Sequence, residues 1–483
     1  MVGALLLFLG IMHVTYSRWF QNWVKAELIT HINSTQNINI ELDGLSIDFP
    51  LKVELNGLVV VEPDNDTLIS AKSLNASVKL LPLLVGDVAV NDIRLINGYY
   101  RLGSSDSAMY MRIRASKLDI NRADVSIAEN EINLAKAIID GGNVNLVLKN
   151  DSAKSVADSA KSVSWEIKAE DLLMRNFNYL MTMTPTIDTL ETYFNNAHIA
   201  DIDINLNTQM VHASMINGRL EASYLYKNSS VEYVSEDKDN SMVDSAPWTI
   251  IVDSINFTKS KAKYAKSGIQ PSSGMDFEYI IVDSLDLAIS SFYNRATEIK
   301  IPITHIEAYE RSGLYIKGTG EFAMDSVAIM FNGVNLSTAH SNIKIDGMLG
   351  TDNGVANDYL FPLMLHGNGQ IGIKDVAIIY PQYQSVLNGI PTHDKLDFLV
   401  DIDGSMNNLK INSFRADLGG RASVSVNGAI TDVSNVKKMH GSLSLEGEIV
   451  DADFVNAYIS DDIAENVKLP KLSVDGNINV FNK

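Results

Sequence analysis

Cysteine is absent from the 483 residues, which removes disulfide frameworks, thiol nucleophiles and cysteine-based metal sites together. Positive charge is also short: 39 Lys and Arg against 59 Asp and Glu leave a net charge of -20, which argues against a nucleic-acid surface, where phosphate binding relies on clustered cations. Anionic headgroups would be repelled as well, so contact with lipid has to be apolar. Tryptophan occurs four times, two of them before residue 24, too few for the aromatic platforms of a polysaccharide-cleaving site. Catalytic signatures are missing too. No serine sits in a nucleophile elbow, no zinc signature occurs, and none of the nine histidines lies at helical metal spacing from another ligand along the chain. The pairs Asp201/Asp203, Asp401/Asp403 and Asp451/Asp453 lack calcium-loop spacing and read as solvated strand faces. Gly367-Asn-Gly-Gln-Ile-Gly372 matches a dinucleotide fingerprint by letter, but it is expected to continue at strand alternation into Ile373 rather than open a helix. A non-enzyme without metal or cofactor is the expectation.

What is present begins with an apolar N-terminus. Val2 to Tyr16 carries no ionised residue but spans only about 22 Å as a helix, short of a hydrocarbon core of about 30 Å. Extension to Val24 adds Trp19, Phe20 and Trp23, rings suited to a membrane interface, and Arg18, which can snorkel. Residues 1–24 are therefore predicted to form a retained transmembrane anchor. The rival, a cleaved signal peptide, would need a basic start and a small-residue cleavage site. Residues 25–37 read as an amphipathic helix.

From Ile38 onwards the pattern changes to period two. Leu45-Ile47, Leu51-Val53-Leu55, Leu74 to Leu80, Val88-Val90 and Ile93-Leu95 alternate apolar with polar residues, as strands with one buried face do. Leu81 to Gly86 reads as a one-turn corner. Residues 38–150 form a first β-module, 151–164 a polar loop with SAKSV repeated, and 165–483 a continuation interrupted by a polar insertion at 227–247. Ile251 to Phe257 is echoed by Ile281 to Leu287, which suggests stacked strand-turn units. Asn332-Gly333, Asp346-Gly347, Asn388-Gly389, Asp403-Gly404, Asn427-Gly428 and Asp475-Gly476 are expected to mark hairpin turns. The last strand has no closing element, so the natural polypeptide is expected to continue.

The order of Asp48-Phe-Pro-Leu51, Pro63-Asp-Asn-Asp-Thr-Leu68, Ala71-Lys-Ser-Leu74, Leu80 to Gly86, Ile93-Arg-Leu95 and Tyr99-Tyr-Arg-Leu102 after an N-terminal anchor resembles the first module of the AsmA-like and TamB proteins of Gram-negative envelopes. Asp417 to Ile430 is similar to the TamB repeats. The resemblance implies a single-pass inner-membrane protein, its bulk periplasmic, with an elongated, curled, antiparallel β-sheet whose taco-like groove carries phospholipid acyl chains in outer-membrane biogenesis. It also implies a region beyond this chain that engages an outer-membrane β-barrel partner. Ile47, Phe49, Val53, Leu55, Val78, Leu80, Val88, Val90, Ile93 and Leu95 are the expected lipid-lining residues. A dry β-sandwich acting as a structural or adhesive scaffold, or an outer-membrane protein assembly factor, remains the alternative.

Overall fold

The computed structural model describes residues 13–481 except 36–37, 50, 64–65, 80–87, 105–108, 127–128, 150–164, 185–187, 228–247, 351–361, 388, 406, 434–437 and 452–470. The expected corner at 81–86, Leu80 and both polar loops lie outside the described residues, apart from Lys227. So does half of the expected anchor. Among the described residues no helix is long and apolar enough to cross a membrane. The boundary expected at Val24 is also displaced. The chain bends at Tyr16 and Ser17, and one helix, α1, then runs unbroken from Arg18 to Thr35. Ser17 starts it, its Oγ accepting a 3.3 Å bond from Phe20 N in the manner of an N-cap. Trp19, Phe20 and Trp23 thus belong to the same helix as residues 25–35. That helix lies on the sheet: Gln21 Nε2 donates to Ile47 O (2.8 Å), and Lys25 Nζ to Asp43 O (2.7 Å).

Almost everything else is β. Among the described residues, twenty-two strands belong to one hydrogen-bonded sheet, and the chain divides into two compact units, 1–252 with 263–267 and 253–262 with 268–483. The division falls inside a strand rather than at either polar loop.

In the first unit β1 (Asn39–Glu41) and β2 (Gly44–Asp48) both pair with β3 (Lys52–Val61), followed by β4 (Thr67–Val78), β5 (Val88–Leu102), β6 (Met109–Ser126), β7 (Glu131–Lys149), β8 (Glu166–Thr184), β9 (Asp188–Asn205), β10 (Met210–Tyr226) and β11 (Thr249–Lys266). Each strand through β7 is antiparallel to its neighbour. The expectation of a purely antiparallel sheet is corrected at β7 and β8, which run parallel with Glu131 opposite Glu166 and Lys149 opposite Thr184. Bonds from Thr249 N to Gln209 O (2.8 Å) and from Ser267 N to Tyr226 O (2.7 Å) put β11 parallel to β10 as well. These are the two places where the polar stretches at 151–164 and 227–247 occur. A parallel partner needs a connection of a dozen or more residues, whereas hairpins need two, and the sequence has that length at both places.

The strands β5 to β10 hold 15 to 19 residues, about 50–60 Å at 3.3 Å each. They are not uniform along that length. Gly57, Lys72, Asn97, Ser116, Gly141, Asn176 and Asn195 drop out of the pairing register in adjacent strands, forming one transverse row. A second row passes through Asn91, Arg122, Ala135, Glu170 and Asp201. Gly57, Asn97, Arg122, Gly141, Asn176 and Asp201 have left-handed backbones with φ between 48° and 74°, the conformation that Gly, Asn and Asp tolerate best. Each such residue is an extra step that restores the facing of the side chains after it.

The second unit continues with β12 (Tyr279–Arg295), β13 (Glu298–Glu310), β14 (Tyr315–Met324), β15 (Ala328–Ser337), β16 (Asn342–Gly350), β17 (Pro362–Gly372), β18 (Lys395–Ser405), β19 (Asn408–Leu418), β20 (Ala422–Thr431), β21 (His440–Ile449) and β22 (Leu472–Phe481), all antiparallel. The expected turns at Asn332-Gly333, Asp346-Gly347, Asp403-Gly404, Asn427-Gly428 and Asp475-Gly476 are corrected: all five lie within strands. Four of the glycines fall opposite large side chains, as Gly347 does between Phe331 and Leu365 and Gly428 between Ile411 and Leu443, whereas Gly333 drops out of the register with a left-handed backbone at φ 56°. The dipeptide is here a strand pattern.

Gly372 ends β17 and does open a helix, α2 (Ile373–Ile379), followed by a 3-10 turn (Pro381–Tyr383) and α3 (Gln384–Leu387). The expectation of continued strand there is overturned. The dinucleotide pattern still lacks its context, because Gly367 and Gly369 sit inside an antiparallel strand paired on both sides instead of forming a phosphate-binding turn. Asp375 of α2 is buried and accepts bonds from Thr338 and Ser341, which ties α2 to the β15–β16 turn.

Asn97→Val places a β-branched residue where φ is 50°. The expected loss is about 1–2 kcal/mol, read as a lower urea midpoint, whereas Asn97→Gly should leave the midpoint nearly unchanged. Equal midpoints for the two variants would remove the left-handed residue from its assigned role.

Candidate apolar binding face

Cross-strand partners share a face, so the register assembles the site residue by residue. Ile47 of β2 opposes Val53 of β3, and Leu55 opposes Leu45. Val53 then opposes Ala76 of β4, Ala76 opposes Ile93 of β5, and Leu55, Leu74 and Leu95 form a parallel line. Ile93 and Leu95 continue to Ile120 and Leu118 of β6, and those to Ala137 and Ile139 of β7. Val78 opposes Val90. Val90 and Ile93 are three residues apart and by strict alternation would point to opposite sides. Asn91, unpaired opposite Arg122, supplies the extra step that lets both join one face.

One expected member stands apart. Phe49 lies in the turn after β2, 66% exposed, with its ring 6.4 Å from Tyr16 in an edge-on contact. It therefore belongs with the helix side and not with the strand row. Val88 pairs by its backbone with Val125.

Among the described residues this face is not covered as a core would be. The fully buried apolar residues among those described are mostly alanines, such as Ala71, Ala123, Ala137 and Ala169, with Val60, Val90 and Phe177 among the few larger ones. Val53, Leu55, Leu74, Ile93 and Leu95 are only half-buried. A sandwich of this many strands would hide most of its inward Leu, Ile and Phe. The same division of faces holds in the second unit, where Leu396, Phe398, Val400 and Ile402 oppose Leu418, Ala416, Phe414 and Ile411. An apolar concavity of about 430 Å³ lies there between Leu396, Leu418, Val424, Ile449 and Val474.

The opposite face is polar and paired. Asp119 receives Arg94 Nε at 2.7 Å and Lys117 Nζ at 2.5 Å. Burial works to raise its carboxyl, but the bonds from Lys117 and Arg94 outweigh it and hold the group below the ordinary carboxylate range. Tyr315 and Lys317 lower Glu307 in the same way. Arg101 is buried and bonds Glu62 together with the carbonyls of Thr67 (3.2 Å) and Gly103 (3.0 Å), closing the end of β3, β4 and β5.

One constellation escaped sequence reading. His366, Asp401 and Asp403 place donor atoms within 4.8 Å of one another. The histidine lies 35 residues from its nearest partner, and only the β17–β18 register, which sets His366 opposite Asp401, brings them together. The Asp-x-Asp spacing at 401 and 403 was the visible half of that signal.

No family model matches this chain, and no curated protein matches it either.

Two expectations follow from the geometry. Val90 is buried, so Val90→Asp should lower stability by about 3 kcal/mol or more. Val53→Asp, at a half-buried position, should leave the chain folded with its β circular-dichroism spectrum intact. Equal unfolding by both would mean that the face is a closed core. The lowered carboxylates set a pH dependence: stability from Asp119 and Glu307 is complete above their unfolded values and is lost as pH falls through the folded ones, below about pH 4. Urea midpoints measured between neutral and acid pH should fall in that window, less steeply in Asp119→Asn.

Proposed function

We propose that this chain is a membrane-anchored, non-enzymatic periplasmic protein that carries phospholipid acyl chains between inner and outer membranes, with its sheet as the groove. The observation that carries this reading is the apolar face itself, continuous through at least five strands by register and half-exposed at Val53, Leu55, Leu74, Ile93 and Leu95. A sheet must cover such a face with a second layer or with a ligand, and acyl chains are ligands that ask only for apolar contact. The net charge of -20 supports the same division, because it disfavours binding through anionic headgroups. An ionised side chain on the path would be desolvated without a partner, which explains why charged residues keep to the other face. The segment 1–24 is the proposed anchor, and a β-barrel of the outer membrane the proposed partner.

The test is mass spectrometry of lipids that co-purify with the detergent-extracted chain. Wild type should carry phospholipid, and Val53→Asp and Leu95→Asp should lose most of it while remaining folded. Wild type free of lipid, or folded variants that keep their full load, would support the dry structural scaffold instead.

A further inference from the structure

His366 on β17 has two register partners on its own face, Asp346 of β16 and Asp401 of β18. Asp403, two residues beyond Asp401, projects from that face too. The imidazole lies between the carboxylates, with Nδ1 2.9 Å from Asp401 Oδ1 and Nε2 3.2 Å from Asp403 Oδ1. Asn412 of β19 donates to both, at 3.1 Å to Asp401 and 2.7 Å to Asp403, and so fixes them side by side. Several closely held carboxylates of the sheet face a lysine or arginine, as Asp119 faces Arg94 and Lys117, Glu307 faces Lys317 and Asp394 faces Arg421, while Asp171 faces His198 at 2.6 Å. Among the described residues His366 alone makes ion-pair contact with Asp401 and Asp403. Two carboxylates at this separation repel unless positive charge lies between them. An imidazole nitrogen can give its lone pair to a cation held beside the two carboxylates.

We propose that His366, Asp401 and Asp403 bind a divalent transition-metal ion of the zinc class, joining β17 to β18 on the polar face. An imidazole nitrogen with two carboxylate oxygens is a borderline donor set, suited to zinc or cobalt and poor for calcium, which takes six to eight oxygens. Three protein donors leave one tetrahedral position for water. The donors meet only when the two strands are paired, so the ion stabilises the paired state.

The test uses the full chain stripped with a chelator and titrated with zinc by calorimetry and with cobalt by visible absorption. One saturable site per chain is expected for each ion and none for calcium. His366→Gln and Asp403→Asn should weaken zinc by at least about tenfold, with the β spectrum retained because both side chains are partly exposed. His305→Gln, altering a histidine near the single carboxylate of Glu307, should leave affinity unchanged. As a readout needing no variant, the imidazole resonances of one histidine among the nine should shift on zinc addition to wild type. Zinc held as tightly by His366→Gln as by wild type, or lost in His305→Gln, would overturn the site. So would the absence of saturable binding, which would leave the three side chains as a hydrogen-bonded cluster only.

Discussion

A strand turns its side chains to alternate sides, so one residue too many sends everything beyond it to the wrong face. The long strands of the first unit live under that constraint. The two transverse rows of unpaired residues divide these strands into shorter runs that each start afresh. The apolar face depends on them: without Asn91 and its neighbour Arg122, Val90 and Ile93 would part company.

The same rows explain a compositional oddity. Asparagine and aspartate are poor strand residues, yet they recur inside these strands. At Asn97, Asn176 and Asp201 they occupy left-handed positions that a valine or isoleucine would resist. In the second unit their side chains serve the backbone of the adjoining strand, as Asp346 Oδ1 does in accepting Gly333 N at 2.6 Å and Asp286 Oδ1 in accepting Lys259 N at 2.6 Å. The residues that weaken the ladder locally also supply the hydrogen bonds that the weakened ladder omits.

Legibility from sequence followed the range of the interaction. The period-two runs announced the strands and most of the candidate face, since alternation is local. The start of the helix at Arg18 was not legible, because the apolar run from Val2 to Val24 reads as one element. Asn-Gly and Asp-Gly misled, because their turn preference belongs to isolated dipeptides and here yields to pairing on both sides. The parallel pairings and the meeting of His366 with Asp401 were hidden, as both depend on which strand lies alongside, a fact that no window of residues contains.

The parallel joint between β7 and β8 has a kinetic meaning. Every hairpin on either side of it closes a short loop, so β2 to β7 and β8 to β10 can each form quickly from local contacts. The joint closes a longer loop, and its entropy cost is met only when both edges already exist to reward it. The first unit thus has a natural order of assembly, with two meanders maturing separately before they zip together. During that interval β7 and β8 each present an unpaired edge, the moment at which the growing sheet is most exposed to pairing with a stranger.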